Sequence, residues 1–342
     1  MRKLASIQKI SDIKPIPDAD SIELVIIKGW QCVAKKGEFK PGNFCIYFEV
    51  DSYLPIDVRY EFLRKTSYRC NEFMGEGFRI KTVKFRGEIS QGLALPLNAF
   101  PEIVDKKENT DVTVILNVRK WEIPEQVSNA GIVIGDKPFG IPTTDEVRIQ
   151  SIPDFLEHFK DKPYYISTKL DGTSCTIYVK NGKVGVCGRN NEYKEDIESC
   201  AMWAFVYKFN LKEKLIALEE DIAIQGEFCG AGIQKNRLKL FEPMLFVFDV
   251  IKINDNDKLK KCGLNEILAY CEKLNLNSVP IEETGEKFSY TLPELLERAK
   301  GKYESGLDKE GIVIRTKEYS RVGNDKLSFK VINNDFLIKE KD

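Results

Sequence analysis

An amine and a carboxylate stand two residues apart in Lys169-Leu170-Asp171-Gly172, and the glycine lets backbone pass close to a ligand with no Cβ in the way. That set suits a phosphate accompanied by a metal ion. A free lysine amine titrates near about 10.4 and is protonated at neutral pH, so attack on phosphorus requires desolvation or nearby cations to release its lone pair. An exposed turn carrying an ordinary ion pair is the plain alternative for so short a motif.

Two strand-like runs must hold the lysine. Residues 164–168 precede it, and residues 173–180 follow it up to Asn181-Gly182, after which Val184-Gly185-Val186-Cys187 returns. Asn-Gly between two apolar runs predicts a tight β-hairpin. Farther on, strands are expected at 222–228, 245–251, 311–316 and 327–332, with helices at 196–209, 264–274 and 292–300. Thr291 and Glu294 form a capping box for the last helix, and Ser151 and Asp154 are expected to open a short one through Phe159 in the same way. His158 on that short helix reads as a surface or packing residue. This part is mixed α+β.

The stretch before Glu122 reads instead as short strands with turn signals, including 24–27, 31–34, 44–50 and 79–85, which predicts a small closed barrel. In 78–86 apolar and basic residues switch parity together. One bulge near Thr82-Val83 would place Phe78, Ile80, Val83 and Phe85 on one face and Arg79, Lys81, Lys84 and Arg86 on the other. The expected result is a continuous basic stripe suited to a phosphate backbone, with Phe73 and Phe78 placed to stack bases where exposed; a solvated strand face is the alternative. Gly and Pro crowd 124–142, which is assigned as a linker between a domain at 1–123 and one at 143–342.

Composition narrows the class without choosing a partner. With 342 residues, 42% hydrophobic and 31% charged, the chain suits two soluble domains. No apolar run approaches a membrane span, and Met1-Arg2-Lys3-Leu4-Ala5 is not followed by a signal-peptide core, so a cytoplasmic or otherwise intracellular protein without membrane contact is expected. Nine scattered cysteines and a single histidine indicate neither a disulfide framework nor a zinc site. Since 52 basic residues balance 53 acidic ones, nucleic acid would need a local basic patch.

Lys169-Leu170-Asp171-Gly172, Gly188-Arg189-Asn190, Gln225-Gly226-Glu227-Phe228, Phe246-Val247-Phe248-Asp249-Val250, Glu310-Gly311-Ile312-Val313-Ile314-Arg315 and Ser328-Phe329-Lys330-Val331 occur in an order that resembles the covalent nucleotidyltransferases, meaning polynucleotide ligases and mRNA capping enzymes. The run ending Ser90-Gln91-Gly92-Leu93-Ala94-Leu95-Pro96-Leu97 is similar to the amino-terminal OB domain of one family of nick-sealing, ATP-dependent RNA ligases, and Thr143 to Gln150 resembles the segment that precedes its nucleophile. The implied fold is α+β: an OB-type β-barrel followed by a mixed α+β nucleotidyltransferase domain built on antiparallel sheets.

The resemblance implies that Lys169 carries a covalent lysyl–AMP, that Arg189 and Glu227 hold the ribose, and that Phe248 stacks on adenine, although a core phenylalanine is an open alternative. Lys330 would contact the α-phosphate and Arg148 the phosphates, while Thr168 and Lys326 would add nucleotide contacts. Asp171 and Glu310 would hold Mg²⁺ or Mn²⁺ through water; a strand-edge ion pair is the alternative for Glu310. In the last motif many relatives have two lysines one residue apart, whereas Ser328 takes the earlier place here and Lys326 lies two residues before it. The implied substrate is RNA with 3′-hydroxyl and 5′-phosphate ends at a nick in a duplex, and the implied state is a monomer. Because the sequence ends at Asp342, no carboxyl-terminal OB domain is expected, which makes a capping-type guanylyltransferase the weaker reading. A catalytically silent nucleic-acid-binding module remains the contrasting class.

Overall fold

Short strands joined by turns build the first unit, as the turn-rich text before Glu122 requires. The computed structural model describes residues 2–122, 132–323 and 325–339. It divides into one unit of residues 2–122, 149–153 and 337–339 and a second of residues 132–148 and 154–336. Residues 124–131 of the expected linker lie outside the described residues.

The first unit contains β1 (Ala5–Lys9), β2 (Asp12–Pro15), β3 (Ile22–Ile27), β4 (Trp30–Lys35), β5 (Phe44–Phe48), β6 (Ser52–Leu54), β7 (Tyr68–Asn71), β8 (Gly75–Arg79), β9 (Val83–Phe85), β10 (Glu88–Ser90), β11 (Leu93–Pro96) and β12 (Arg119–Lys120). They form sheets ordered β1-β5-β11, β2-β3-β4 and β12-β6-β8-β7, with β9 and β10 as a separate hairpin. Strand β5 serves two cores: Ile46 and Phe48 pack with Ile7, Leu54 and Phe78, whereas Cys45 and Tyr47 pack with Val25 and Trp30. Burial on both faces is why its text is unbrokenly apolar rather than alternating.

The expected bulged strand at 79–85 is two strands instead. Alternation simply continues through Phe78, Ile80 and Thr82, all buried, and β9 then starts a new hairpin with Phe85 44% exposed. No bulge is needed, because Thr82 fills the inward position and donates nothing outward to a stripe. Arg79, only 14% exposed, lies 3.8 Å from Asp51 and packs over Trp121, while Lys84 and Arg86 are exposed on and just after β9. Basic residues here thus sit on separate elements rather than along one strand face. Phe78 is fully buried, so it cannot stack a base, whereas Phe73 is 57% exposed.

The second unit contains β13 (Val133–Asp136), α1 (Phe155–Phe159), β14 (Tyr164–Lys169), β15 (Thr173–Lys180), β16 (Lys183–Cys187), β17 (Asn191–Tyr193), α2 (Ala201–Lys208), α3 (Leu211–Ile216), β18 (Ile222–Cys229), β19 (Met244–Ile253), β20 (Leu259–Lys261), α4 (Leu264–Leu274), β21 (Asn277–Ser278), β22 (Ile281–Gly285), α5 (Leu292–Arg298), β23 (Gly311–Thr316), β24 (Arg321–Val322), β25 (Asp325–Lys326), β26 (Ser328–Ile332) and α6 (Asn334–Lys339). Its larger sheet runs β13-β17-β16-β15-β18-β19-β20, antiparallel throughout, with the short β21 added parallel to β19; the smaller runs β22-β14-β23-β26, also antiparallel. The apolar stripe of α4 packs Ile267, Tyr270, Cys271 and Leu274 into the core under the larger sheet with Trp203, Phe205, Ile177, Ile224 and Val247.

The hairpin at Asn181-Gly182 forms with positive φ at both residues, 50° and 73°, the pair of values a two-residue type I′ turn demands. Three expectations are corrected. Val133–Asp136, inside the expected linker, pairs with β17 as an edge strand. Ser151 caps nothing: its hydroxyl donates to Glu49 at 2.8 Å, and α1 begins after Asp154 with no side-chain cap. Helix α2 starts at Ala201, because Asp196 accepts from the amides of Glu198 and Ser199 and holds that stretch as a turn.

Gly311 opens β23 at φ 151°, where an added Cβ would lie 2.1 Å from the Val331 carbonyl oxygen. Gly311→Ala is therefore expected to cost about 1–3 kcal/mol of stability from backbone strain, with further loss from the clash; thermal unfolding measures it, and an unchanged melting temperature would contradict the geometry.

Candidate active site

Strand register assembles the site from four distant parts of the chain. Pairing of β14 with β23 ends at Lys169↔Gly311, which sets Glu310 beside the lysine. Val313↔Lys330 pairing brings Lys330 in from β26, and Ser174↔Glu227 pairing brings Glu227 in from β18. Leu170-Asp171-Gly172 is the connection from the smaller sheet to the larger one. Gly172 is required there: a Cβ would lie 2.5 Å from the Phe228 carbonyl oxygen, and its amide donates to Glu227 Oε1 at 3.1 Å.

A cavity of about 190 Å³ results, and Thr168, Lys169, Arg189, Glu227, Phe248 and Lys330 all line it. Six expected nucleotide-site residues thus converge. Lys169 Nζ donates to Glu310 Oε2 at 2.7 Å. Asp171 turns to Arg237, with 2.8 Å between Oδ2 and Nε, and Arg189 reaches Asp145 at 2.5 Å. Arg148 shares a parallel bridge with Lys330, whose amide donates to the Val147 carbonyl. Phe248 is half-buried and lines the cavity, and Arg315 packs 5.3 Å from its ring centroid.

Burial alone would lower the Lys169 amine, but Glu310, then Glu227 and Asp171, outweigh it and hold the ammonium above the usual lysine range. The surplus of carboxylates shows in Glu227, pushed up to about 7 by burial and by Glu310 and Asp171 against the pull of Lys169. Lys330 moves the other way, down to about 7, through burial and the like charges of Lys169 and Arg148. Two groups that titrate near neutrality beside a charged lysine are what proton and phosphate chemistry uses.

Two further charged residues, Glu146 within the segment from Thr143 to Gln150 and Arg315 at the end of the Glu310 motif, belong to the site. Glu146, 5% exposed, faces Arg315 at 3.0 Å and Lys326 at 3.0 Å and accepts from Ser328 Oγ at 2.6 Å. Burial would raise this carboxyl, yet Lys326 and Arg315 bring it down to about 2. Both Glu146 and Arg315 line the cavity, whereas Lys326 does not. An arginine closing an apolar strand and an acid two residues before Arg148 were the available signals.

Among the described residues, no group of three or more His, Cys, Asp or Glu is arranged to hold a metal ion by itself. Carboxylate oxygens such as those of Glu310 and Asp171 are the hard donors a divalent cation takes when waters and phosphate oxygens complete its shell, although here they face Lys169 and Arg237.

A strand-end lysine among carboxylates, framed by two antiparallel sheets, is the arrangement that the resemblance to covalent nucleotidyltransferases leads one to expect. The RNA ligase family model matches residues 162–332, and an OB-fold domain model matches residues 4–97. An RNA ligase of Naegleria gruberi solved with pyrophosphate is 35% identical, with a TM-score of 0.89 and 98% of each chain covered. Mutants of that enzyme solved with ATP and Mn and with AMP and Mn are each 36% identical over 100% of both chains, with TM-scores of 0.91 and 0.90. No match to a curated protein is found. This chain belongs to the RNA ligase family.

Proposed function

We propose that this ATP-dependent RNA ligase joins 3′-hydroxyl and 5′-phosphate RNA ends, in particular at a nick in a duplex, through a lysyl–AMP on Lys169. The observation that carries the reading is Lys169 Nζ held 2.7 Å from Glu310 on the wall of a cavity that also presents Glu227 and Lys330. In the first step the Lys169 amine, having lost its proton, bonds to the α-phosphorus as the bond to pyrophosphate breaks. The adenylyl group then passes to a 5′-phosphate and frees the lysine. Finally a 3′-hydroxyl attacks that phosphate and AMP leaves.

Phe248 supplies the stacking surface for adenine, Arg189 and Glu227 the ribose contacts, Lys330 a charge for the α-phosphate, and Arg148, Thr168 and Lys326 further nucleotide contacts. Lys326 is already engaged by Glu146, so its contribution comes through that pair. Asp171 and Glu310, through water, would hold Mg²⁺ or Mn²⁺, which neutralises phosphate charge and orients the leaving group. The Naegleria gruberi structures with ATP, AMP, pyrophosphate and Mn support this choice of ligands.

In the first unit, Arg79, Lys81, Lys84 and Arg86 are the proposed RNA-backbone contacts, with the exposed Lys84 and Arg86 the more available of the four. We assign the first unit to RNA binding and the second to catalysis, in a monomer acting inside the cell; among the described residues no helix is long and apolar enough to cross a membrane.

Incubation with α-labelled ATP or GTP and Mg²⁺ or Mn²⁺, followed by denaturing electrophoresis and by a nicked-duplex sealing assay, tests the reading. Label from ATP alone with sealing of the RNA nick is expected. Label from GTP would point to capping chemistry, and no label on folded protein would rule out the covalent route.

A further inference from the structure

Regular pairing around the nucleophile stops just where accuracy is needed. The β14–β22 ladder ends at Ser167↔Ile281, after a register shift, and the β14–β23 ladder ends at Lys169↔Gly311. Thr168, Lys169, Lys309 and Glu310 therefore lie at or beyond the last rungs, and other bonds fix them. The Tyr303 hydroxyl donates to the Lys169 carbonyl at 2.8 Å and accepts from the Glu310 amide at 3.0 Å. One oxygen of Glu282, Oε1, accepts from the Thr168 hydroxyl at 2.8 Å and from Lys309 Nζ at 2.6 Å. Thr168 and Lys309 each immediately precede a member of the Lys169–Glu310 pair.

We propose that Tyr303 and Glu282 are positioning residues that latch the nucleophile segment to the Glu310 segment, one through the backbone and the other through the preceding side chains. The inference rests on the lysyl–AMP reading. Both latches are built of held groups. Tyr303 is 9% exposed, and its side chain packs with Leu170, Cys229 and Val279. The side chains of Lys309 and Glu282 are 8% and 16% exposed, with Arg298 3.6 Å from the other Glu282 oxygen. Burial pushes the Tyr303 phenol well above its ordinary range, so it keeps the proton it donates. Neither residue lines the cavity, which separates positioning from nucleotide binding.

An attacking atom displaced by a fraction of an ångström loses rate without losing affinity. Single-turnover labelling of Lys169 from ATP is the test, with the rate constant, the ATP concentration for half-maximal rate and the labelled fraction read separately. Tyr303→Phe and Lys309→Met, neither of them at a cavity-lining residue, should each slow the saturating rate constant roughly tenfold, leaving half-saturation within about twofold and the labelled fraction intact. Lys309→Arg, which keeps a cation for Glu282, should restore much of the rate. A loss confined to labelled fraction or melting temperature would mean a structural role only and overturn the latch, as would wild-type rate constants. If Tyr303→Phe does not fold, the Lys309→Met and Lys309→Arg pair decides. Absence of label in the wild type would sink the lysyl–AMP reading itself, whereas normal label there with unchanged variants sinks the latch alone.

Discussion

Lys169→Ala should take no label from ATP and should fail to seal a nick from ATP, yet still join an RNA whose 5′-phosphate already carries AMP. The first loss follows from removing the only atom proposed to bond to the α-phosphorus; a missing nucleophile registers on the order of 10⁴-fold or more. The retained step follows from the same logic, since attack by the 3′-hydroxyl makes no use of the lysine lone pair. What the variant loses in that step is a charge. Lys169 faces Glu310 at 2.7 Å and is held protonated by it, then by Glu227 and Asp171. Without it, those carboxylates repel one another more strongly, while Lys330, now lowered by the Lys169 charge, recovers basicity. Joining of preadenylylated RNA should therefore be slowed by a modest factor, about tenfold, rather than abolished. Measuring labelling, sealing from ATP and joining of preadenylylated RNA on one preparation decides it. Full activity in the first two assays would remove Lys169 from the chemistry, and abolition of all three by a folded variant would make the residue architectural.

The order of elements around Lys169 was readable because local chemistry dictates it. Asn181-Gly182 can satisfy positive φ at both positions, so the hairpin follows from two residues. Thr291 donates through both its amide and its hydroxyl to Glu294 Oε2, within four residues, and α5 starts there as expected. The convergence of Lys169, Glu227 and Lys330 was anticipated through the motifs and not from any local signal. It depends on ladders between strands far apart in sequence. Glu146 shows the limit: its burial comes from Arg315 and Lys326, 169 and 180 positions away by the numbering, and no local pattern announces a carboxylate with two cations. Lys326 was expected at the nucleotide because a second lysine belongs to the last motif. It lies on β25, paired to β24, and shares Glu146 with Ser328, the residue in the earlier motif position. The strand break at Ile80–Thr82 escaped for a different reason. The parity switch of apolar and basic residues points to a bulge near Thr82-Val83, but Thr82 is itself an inward residue at 6% exposure and the switch marks the start of a new strand. Helix α3 escaped because one short amphipathic run, Leu211–Ile216, spans too few turns to show a period.

Glu310→Gln separates two things one carboxylate does, and the two act in opposite directions on rate. As the partner of Lys169 it keeps the amine protonated, so its neutral amide should ease release of the lone pair and speed attack. As a proposed holder of the metal's water shell it sits at the end of β23's register, where an amide offers a far weaker ligand than a carboxylate. The second effect should win, because ATP brings a divalent ion into a site already rich in negative charge. Once that ion is bound, Glu310 no longer serves to store the lysine proton. The expected result is labelling slowed by roughly 10²-fold, with the metal concentration for half-maximal rate raised. Binding of Mn²⁺ in the presence of an ATP analogue that cannot be cleaved, followed by electron paramagnetic resonance, should weaken in parallel, a readout independent of turnover. Faster labelling in Glu310→Gln, with Mn²⁺ binding unchanged, would confine Glu310 to restraint of the lysine and leave Asp171 and Glu227 to face the metal. Glu227 is the group to watch in that case: it is raised by burial and by Glu310, so neutralising Glu310 favours its ionised form and partly replaces the lost charge.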